Sequence, residues 1–163
     1  MATRSYTIGD IVAQTGAGER SVLMWADALA IRPDPGTNRA GRGVHRQFQW
    51  REVEVAAVLA AVAPFRLPIG VLCRIGTLVH NLIVLGEPPQ WLPDGKLAEA
   101  ARRGERVELV LFPNDSAAPG DEPFSVSIRW PAGLDDVPVE EPKPLPKAVI
   151  IIDLGECWKE LRP

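Results

Sequence analysis

Prolines and glycines divide this sequence into short segments, and their positions limit the length of every helix. The 163 residues include 16 prolines and 14 glycines. Because proline lacks a backbone N–H and clashes with the preceding turn, we expect no helix to continue through Pro33, Pro64 or Pro88. The chain should therefore fold as several short elements, and its 46% of apolar residues can give them a buried core.

The first residues predict a short helix that is followed by a sharp turn. Thr7 and Asp10 form the Ser/Thr-x-x-Asp/Glu pattern of a capping box. Apolar residues then recur at helical spacing, so we expect a helix over residues 8 to about 14. Gly16 can adopt the left-handed conformation that redirects a chain after a helix.

A second helix is predicted to open at Ala17 and Gly18. Its buried face is an apolar stripe with the spacing i, i+3 and i+7, formed by Val22, Trp25 and Leu29. Two short helices joined by a glycine-containing turn make the helix-turn-helix pattern. The pattern alone leaves two interpretations open, a DNA-binding motif and a helical hairpin that serves only for packing.

An arginine-rich loop follows the two helices. Residues 34–43 are rich in proline, glycine, asparagine and arginine, and residues 44–48 then alternate as in a short strand that could pair with Ile31 and Arg32. The result would be a β-wing with arginine at its tip. Arginine can bind phosphates and guanine edges through two hydrogen bonds, so the wing could bind DNA. The alternative interpretation is a solvated basic loop that binds no partner. The arginines of this stretch are Arg32, Arg39, Arg42, Arg46 and Arg51.

Two further helices are predicted before residue 86. One covers residues 50–63, and the other, with proline in its first turn, covers residues 68–85. The second is the most apolar stretch of the sequence, but Arg74, His80 and Asn81 interrupt it. Because such groups cost several kcal/mol in hydrocarbon, we interpret the stretch as a buried or oligomerising helix and not as a membrane span.

The second half predicts a small α+β module. We expect residues 148–154 to form a central strand, because they are apolar on both faces, and the proline-rich residues 137–147 to be extended and exposed. The predicted fold class is α+β, with a winged helix-turn-helix domain at residues 1–86 and the module at residues 87–163. The elements of the module are a helix over 94–103, strands over 107–112, 124–130 and 148–154, and a helical turn around Trp158.

Charge is distributed unevenly along the chain, although the net charge is only −3. Residues 1–80 contain nine Lys and Arg against six Asp and Glu, a net of +3, whereas residues 81–163 contain nine against fifteen, a net of −6. This asymmetry predicts different partners for the two halves. Since the N-terminus has no apolar signal segment and only two cysteines are present, we expect a cytoplasmic protein without a disulfide framework.

The order helix, turn, helix, arginine-rich wing, helix, break and helix resembles the DNA-binding domain of MerR-family regulators. The resemblance covers about half of the chain. Trp25 occupies the aromatic position of the family's second helix. The segments similar to the family pattern are residues 6–11 at its opening, 15–16 at its turn, 43–48 at its wing strand and 65–67 at the start of its fourth helix.

The resemblance implies that the second helix enters the major groove of double-stranded DNA, while the wing lies along the backbone or the minor groove. Arg20 would bind a guanine edge or a phosphate, and Glu19 either accepts from a cytosine amino group or only complements the helix dipole. His45 either joins the phosphate contacts of the wing or is merely exposed. The implied DNA-binding residues are Gly18, Glu19, Arg20 and Leu23 of the second helix and Arg39, Arg42, His45 and Arg46 of the wing.

Three departures from the family pattern affect the expected mode of binding. Leu23 stands where many members place a DNA-contacting arginine, and Val44 replaces the usual tyrosine of the wing. The family also dimerises through a long helix after its fourth helix, which residues 86–89 cut short here. A homodimer could form instead through the helix at residues 69–85, whose surplus apolar residues are Ile75, Leu78, Val79, Leu82 and Ile83.

Enzymatic chemistry is not predicted. The sequence contains no phosphate-binding loop, nucleophile elbow or zinc-protease motif, and its two cysteines and two histidines are not at ligand spacing, so we expect no catalytic residue, metal or cofactor. We predict a MerR-like transcriptional regulator whose second half serves oligomerisation, a ligand, or a protein partner such as RNA polymerase. The alternatives are a phage-type excisionase or small terminase subunit, and a protein-interaction adaptor whose winged fold no longer binds DNA.

Overall fold

The computed structural model describes residues 4–37, 45–84, 97–113, 124–129 and 149–162. Over these residues the chain forms six α-helices, a 3₁₀ turn at Ala63–Phe65 and a three-stranded antiparallel sheet, so the predicted α+β class is confirmed. None of the described helices is long and apolar enough to cross a membrane. The elements are α1 (Ile8–Thr15), α2 (Glu19–Asp27), α3 (Trp50–Val62), α4 (Ile69–Val84), α5 (Leu97–Arg102), β1 (Glu108–Pro113), β2 (Phe124–Arg129), β3 (Ile150–Asp153) and α6 (Leu154–Trp158).

Helix α1 begins and ends as predicted. The N–H of Thr7 donates to Oδ2 of Asp10 over 2.8 Å, and the N–H of Asp10 donates to Oγ1 of Thr7 over 3.3 Å, so both bonds of the capping box are present. The first of these bonds holds the pKa of Asp10 below its usual value. Gly16 follows α1 with a φ of 68°, in the left-handed region where glycine is favoured.

Helix α2 ends earlier than its predicted apolar stripe requires. Val22 and Trp25 are buried as expected, but Leu29 is 52% exposed and has a φ of 60°. The helix ends at Asp27, and the N–H of Ala30 donates back to the carbonyl of Trp25 over 2.8 Å. The prediction that Leu29 lies on the buried face is therefore wrong, because helical spacing no longer applies once the chain has left the helix.

The strand pairing predicted for the wing is also wrong. Phe48 exchanges two backbone hydrogen bonds with Tyr6, of 2.9 and 2.8 Å, and residues 45–47 form no regular strand. Between the two sides of the wing, the N–H of Asp34 donates to the carbonyl of Gln47 over 2.7 Å. We call residues 31–37 and 45–48 the wing stem; residues 38–44, which include the predicted tip, lie outside the described residues.

Helices α3 and α4 form the centre of the fold, close to their predicted bounds. Residues 52–59 of α3 are all buried, and α3 packs against α1, α4 and α6. Helix α4 crosses the chain just after α2 so closely that a Cβ at Gly76 would lie 2.1 Å from the carbonyl oxygen of Ala30. Of the apolar residues predicted to be in surplus on α4, two are in the core and three are half-buried: Ile75 and Val79, and Leu78, Leu82 and Ile83.

The sheet has the order β2-β1-β3, and both of its pairings are antiparallel. Strand β3 is thus an edge strand of the described sheet, and the prediction that it is central is wrong. Its run of isoleucines is apolar on both faces, yet Ile151 is exposed. The predicted domain boundary near residue 86 and the proline-rich residues 137–147 lie outside the described residues.

The C-terminal elements pack directly against α3. Glu54 accepts two hydrogen bonds from Arg102 of α5, both of 2.7 Å, and its backbone carbonyl accepts the indole N–H of Trp158 over 3.0 Å. The guanidinium of Arg102 also lies over the Trp158 ring, 5.8 Å from its centre. Apolar residues of both halves therefore join one core around α3.

Candidate nucleic-acid interface

A depression of about 460 Å³ separates the start of α1, the exposed side of α2 and the wing stem. It brings together residues that are up to 39 positions apart in the sequence, and four of them belong to the predicted DNA-binding set. The remaining residues are the N-cap and the first two residues of α1. The lining residues are Thr7, Ile8, Gly9, Glu19, Leu23, His45 and Arg46.

The exposed side of α2 carries the other predicted contacts of this helix. Gly18 is the N-cap residue, and none of the described side chains caps this end by a hydrogen bond. Glu19 and Arg20 are exposed, and so are the apolar side chains of Leu23 and Met24, at 38% and 45%. The surface therefore combines an open helix N-terminus, which favours anions, with one positive, one negative and two apolar side chains.

Arg46 joins the wing stem to α2. Its guanidinium lies 2.7 Å from the carboxylate of Asp27, and its side chain is about a quarter exposed. The ion pair links the stem to α2 and offsets part of the positive charge of Arg46. Exposed His45 lies beside it at the depression. Arg39 and Arg42, which the sequence predicts as phosphate contacts, lie outside the described residues.

The sequence interpretation missed a buried polar pair behind the wing stem. Glu52 of α3 and His80 of α4 are 2% and 8% exposed, and Nδ1 of His80 lies 2.8 Å from Oε1 of Glu52. The other oxygen, Oε2, accepts the backbone N–H of Arg32 over 2.8 Å. The available signal was the presence of charged or polar residues inside two otherwise apolar helices, but the sequence did not show which ones would meet.

Burial lowers the pKa of His80, and the positive charges of Arg32 and Arg51 act in the same direction. The carboxylate of Glu52 opposes this shift, by its charge and by its hydrogen bond. The neutral imidazole is therefore favoured in the folded protein. Because an ionised carboxylate can only accept hydrogen bonds, we assign the proton of the neutral ring to Nδ1.

The lowered pKa of His80 predicts that the protein loses stability in mild acid. The unfolded chain takes up this proton near the usual pKa of 6.5, whereas the folded protein takes it up only at lower pH. The stabilisation is thus fully present above 6.5 and is lost as the pH falls from there through the folded pKa. Unfolding in urea at about pH 7.5 and about pH 5.5 tests this against His80→Asn, which does not titrate. The advantage of the wild type should shrink at the lower pH, and an equal advantage at both would contradict the prediction.

The cysteines lie apart from this surface. Burial raises the pKa of the Cys73 thiol, and it raises that of Cys157 to about 11, with help from the negative charges of Asp153 and Glu156. The Cys73 thiol donates to the carbonyl of Ala28 over 3.3 Å. Over the described residues, no group of three or more His, Cys, Asp or Glu side chains is placed to hold a metal ion.

Comparison of the chain with models of known protein families gives no match, and a search among curated proteins gives none either. What the chain does is therefore inferred from its sequence and from the geometry of this surface.

Proposed function

We propose that residues 1–86 form a winged helix-turn-helix domain of the MerR type, and that the chain is a sequence-specific transcriptional regulator that binds double-stranded DNA in the cytoplasm. The observation that carries the proposal is the depression beside α2. There α2 and the wing stem present Glu19, Leu23, His45 and Arg46 on one surface, next to the open N-terminus of α2. A reading helix beside a basic wing is the arrangement that such domains use.

In this proposal α2 enters the major groove with its first turn facing the bases. Arg20 binds a guanine edge or a phosphate there, and the uncapped N–H groups of α2 favour a nearby phosphate. Arg39 and Arg42 bind phosphates from the wing. The ion pair between Arg46 and Asp27 links the wing stem to the reading helix.

A specific observation favours a second candidate, a protein-interaction adaptor. Leu23 and Met24 leave an apolar strip on the exposed side of α2, where a DNA-reading helix usually has polar side chains. An adaptor would use that strip to bind a partner protein. It would bind duplex DNA weakly and without a sequence preference.

Selection of bound sequences from a randomised duplex pool separates the two candidates. We expect a consensus to emerge, and Arg20→Ala to weaken binding to that consensus about tenfold or more, because a bidentate arginine contact contributes about 1–3 kcal/mol of discrimination. Arg103→Ala is the matched control, since Arg103 is exposed just after α5. The control should bind like the wild type. Recovery of no consensus, or full affinity in Arg20→Ala, would count against the proposal.

A further inference from the structure

One carboxylate ties the start of the wing stem to α4. Oε2 of Glu52 accepts the backbone N–H of Arg32, and Oε1 faces Nδ1 of His80, each over 2.8 Å. Glu52 is on α3, His80 is on α4, and Arg32 is the second residue of the stem. Three separate parts of the chain therefore meet at one buried side chain.

Contacts with the helical core position the wing stem, in addition to the hydrogen bonds that join its two sides. Between its two sides the described contacts are the backbone bond from Asp34 to Gln47 and two hydrogen bonds of the Thr37 hydroxyl with Gln47, of 3.2 and 3.5 Å. Its orientation then depends on its attachments to the rest of the fold. Among the described residues, Ile31 and Phe48 anchor the stem in the core through their buried side chains. The polar attachments include the bond from the N–H of Ile31 to the carbonyl of Trp25, the bridge from Phe48 to Tyr6, the ion pair from Arg46 to Asp27 and the bond from Arg32 to Glu52.

A buried carboxylate is a costly way to pack two helices together. Burying a charge is unfavourable unless its hydrogen-bonding capacity is satisfied, and apolar residues of similar volume often pack as well or better. At Glu52 this cost is offset by two hydrogen bonds, one from the backbone N–H of Arg32 and one from His80. Arg32 lies beyond the end of α2 and in none of the described strands, so its N–H needs such an acceptor. The same N–H would be left without an acceptor if Glu52 were apolar, so the pair serves the stem as well as the core.

We propose that Glu52 and His80 are positioning residues, which fix the wing stem against the helical core and thereby set the affinity of the proposed DNA surface. The second part rests on the function proposed above, whereas the first does not. The described charged groups that act on His80 are Glu52 and Arg51 of α3 and Arg32 of the stem. If the His80 donor is lost, the Glu52 carboxylate loses one of its hydrogen bonds and is less firmly positioned. The backbone amide of Arg32 then no longer has a fixed acceptor.

The backbone amide of Arg32 reports on this link without any DNA. In a pH titration followed by NMR, its chemical shift should change with the same midpoint as the His80 ring in the wild type, and this inflection should vanish in His80→Asn. Hydrogen exchange at Arg32, relative to the amides of β1, should rise about tenfold in His80→Ala and stay near the wild-type ratio in His80→Asn, whose amide can donate in place of Nδ1.

A matched variant separates positioning from loss of overall stability. Arg102→Met breaks the buried pair of Glu54, two residues along α3, but it does not touch the wing stem. Its ratio of exchange between Arg32 and β1 should stay at the wild-type value. The proposal would be overturned if the chemical shift of the Arg32 amide did not follow the titration of His80. It would also be overturned if the ratio of exchange between Arg32 and β1 rose equally in His80→Asn and His80→Ala, or equally in Arg102→Met and His80→Ala.

Duplex binding then tests the consequence for the interface. We expect His80→Ala to bind the selected duplex about tenfold more weakly than Arg102→Met, and His80→Asn to recover most of that loss. Equal affinities of His80→Ala and Arg102→Met, with the exchange results as expected, would refute the link to affinity. If the wild type itself binds no duplex, the proposed function fails, while the titration and exchange results still decide the positioning role.

Discussion

Replacement of Gly76 by alanine is expected to destabilise the fold by about 3 kcal/mol. The new methyl group would lie 2.1 Å from the carbonyl oxygen of Ala30 and 3.0 Å from its carbonyl carbon. Both atoms belong to the backbone, so no flexible side chain can move aside, and α4 must shift away from the segment that leads into the wing stem. Urea unfolding followed by circular dichroism measures the loss.

Gly70→Ala on the same helix is the matched control. Among the described residues, no atom outside its chain neighbours and the backbone of its own helix lies within 4 Å of the position that its Cβ would take. Because alanine is the better helix former, we expect this variant to gain roughly 0.5 kcal/mol. Equal effects of the two substitutions would mean that α4 does not approach Ala30 as described.

Arg102→Met is expected to lower the free energy of unfolding by about 2 to 3 kcal/mol. The Glu54 carboxylate is buried, and it would lose two hydrogen bonds of 2.7 Å. The substitution also removes the weaker contact of the guanidinium with the Trp158 ring, so the loss reports chiefly on the unpaired charge. This expected loss in the free energy of unfolding is smaller than for a pair in which both side chains are buried. The reason is that the Arg102 side chain is 40% exposed, so water can partly replace it.

The neighbouring residue supplies the control for this second prediction. Arg103 pairs with Glu99 and Glu105, but all three side chains are more than a third exposed. Exposed pairs contribute little, so Arg103→Met should cost less than about 0.5 kcal/mol. A loss as large as that of Arg102→Met would show that the buried pair does not explain the result.

The sequence predicted most helix bounds because local chemistry determines them. The capping box of Thr7 and Asp10 and the left-handed Gly16 act within a few residues, and proline marks the break between α3 and α4. The errors came where a distant partner decides the outcome. Phe48 pairs with Tyr6 and not with Ile31, and β3 lies at the edge of the described sheet because β1 takes the central place.

The candidate site was predicted in part for the same reason. Glu19 and Leu23 of α2 and His45 and Arg46 of the wing were assigned to one surface from the family resemblance, and they do line one depression. The pair of Glu52 and His80 behind the wing stem could not be found from spacing, since its partners are 28 positions apart. The packing of α3 against α4 brings them together.

The salt dependence of binding to a random-sequence duplex of about 30 base pairs tests the central claim, that this surface binds DNA, most directly. We expect the logarithm of the association constant to fall linearly with the logarithm of the salt concentration. The slope should be about −3 if Arg20, Arg39 and Arg42 each bind a phosphate. Arg42→Ala should make the slope shallower by about one unit, whereas Arg103→Ala should leave it unchanged. A flat response in the wild type that Arg42→Ala does not alter would contradict DNA binding and favour the protein-interaction adaptor.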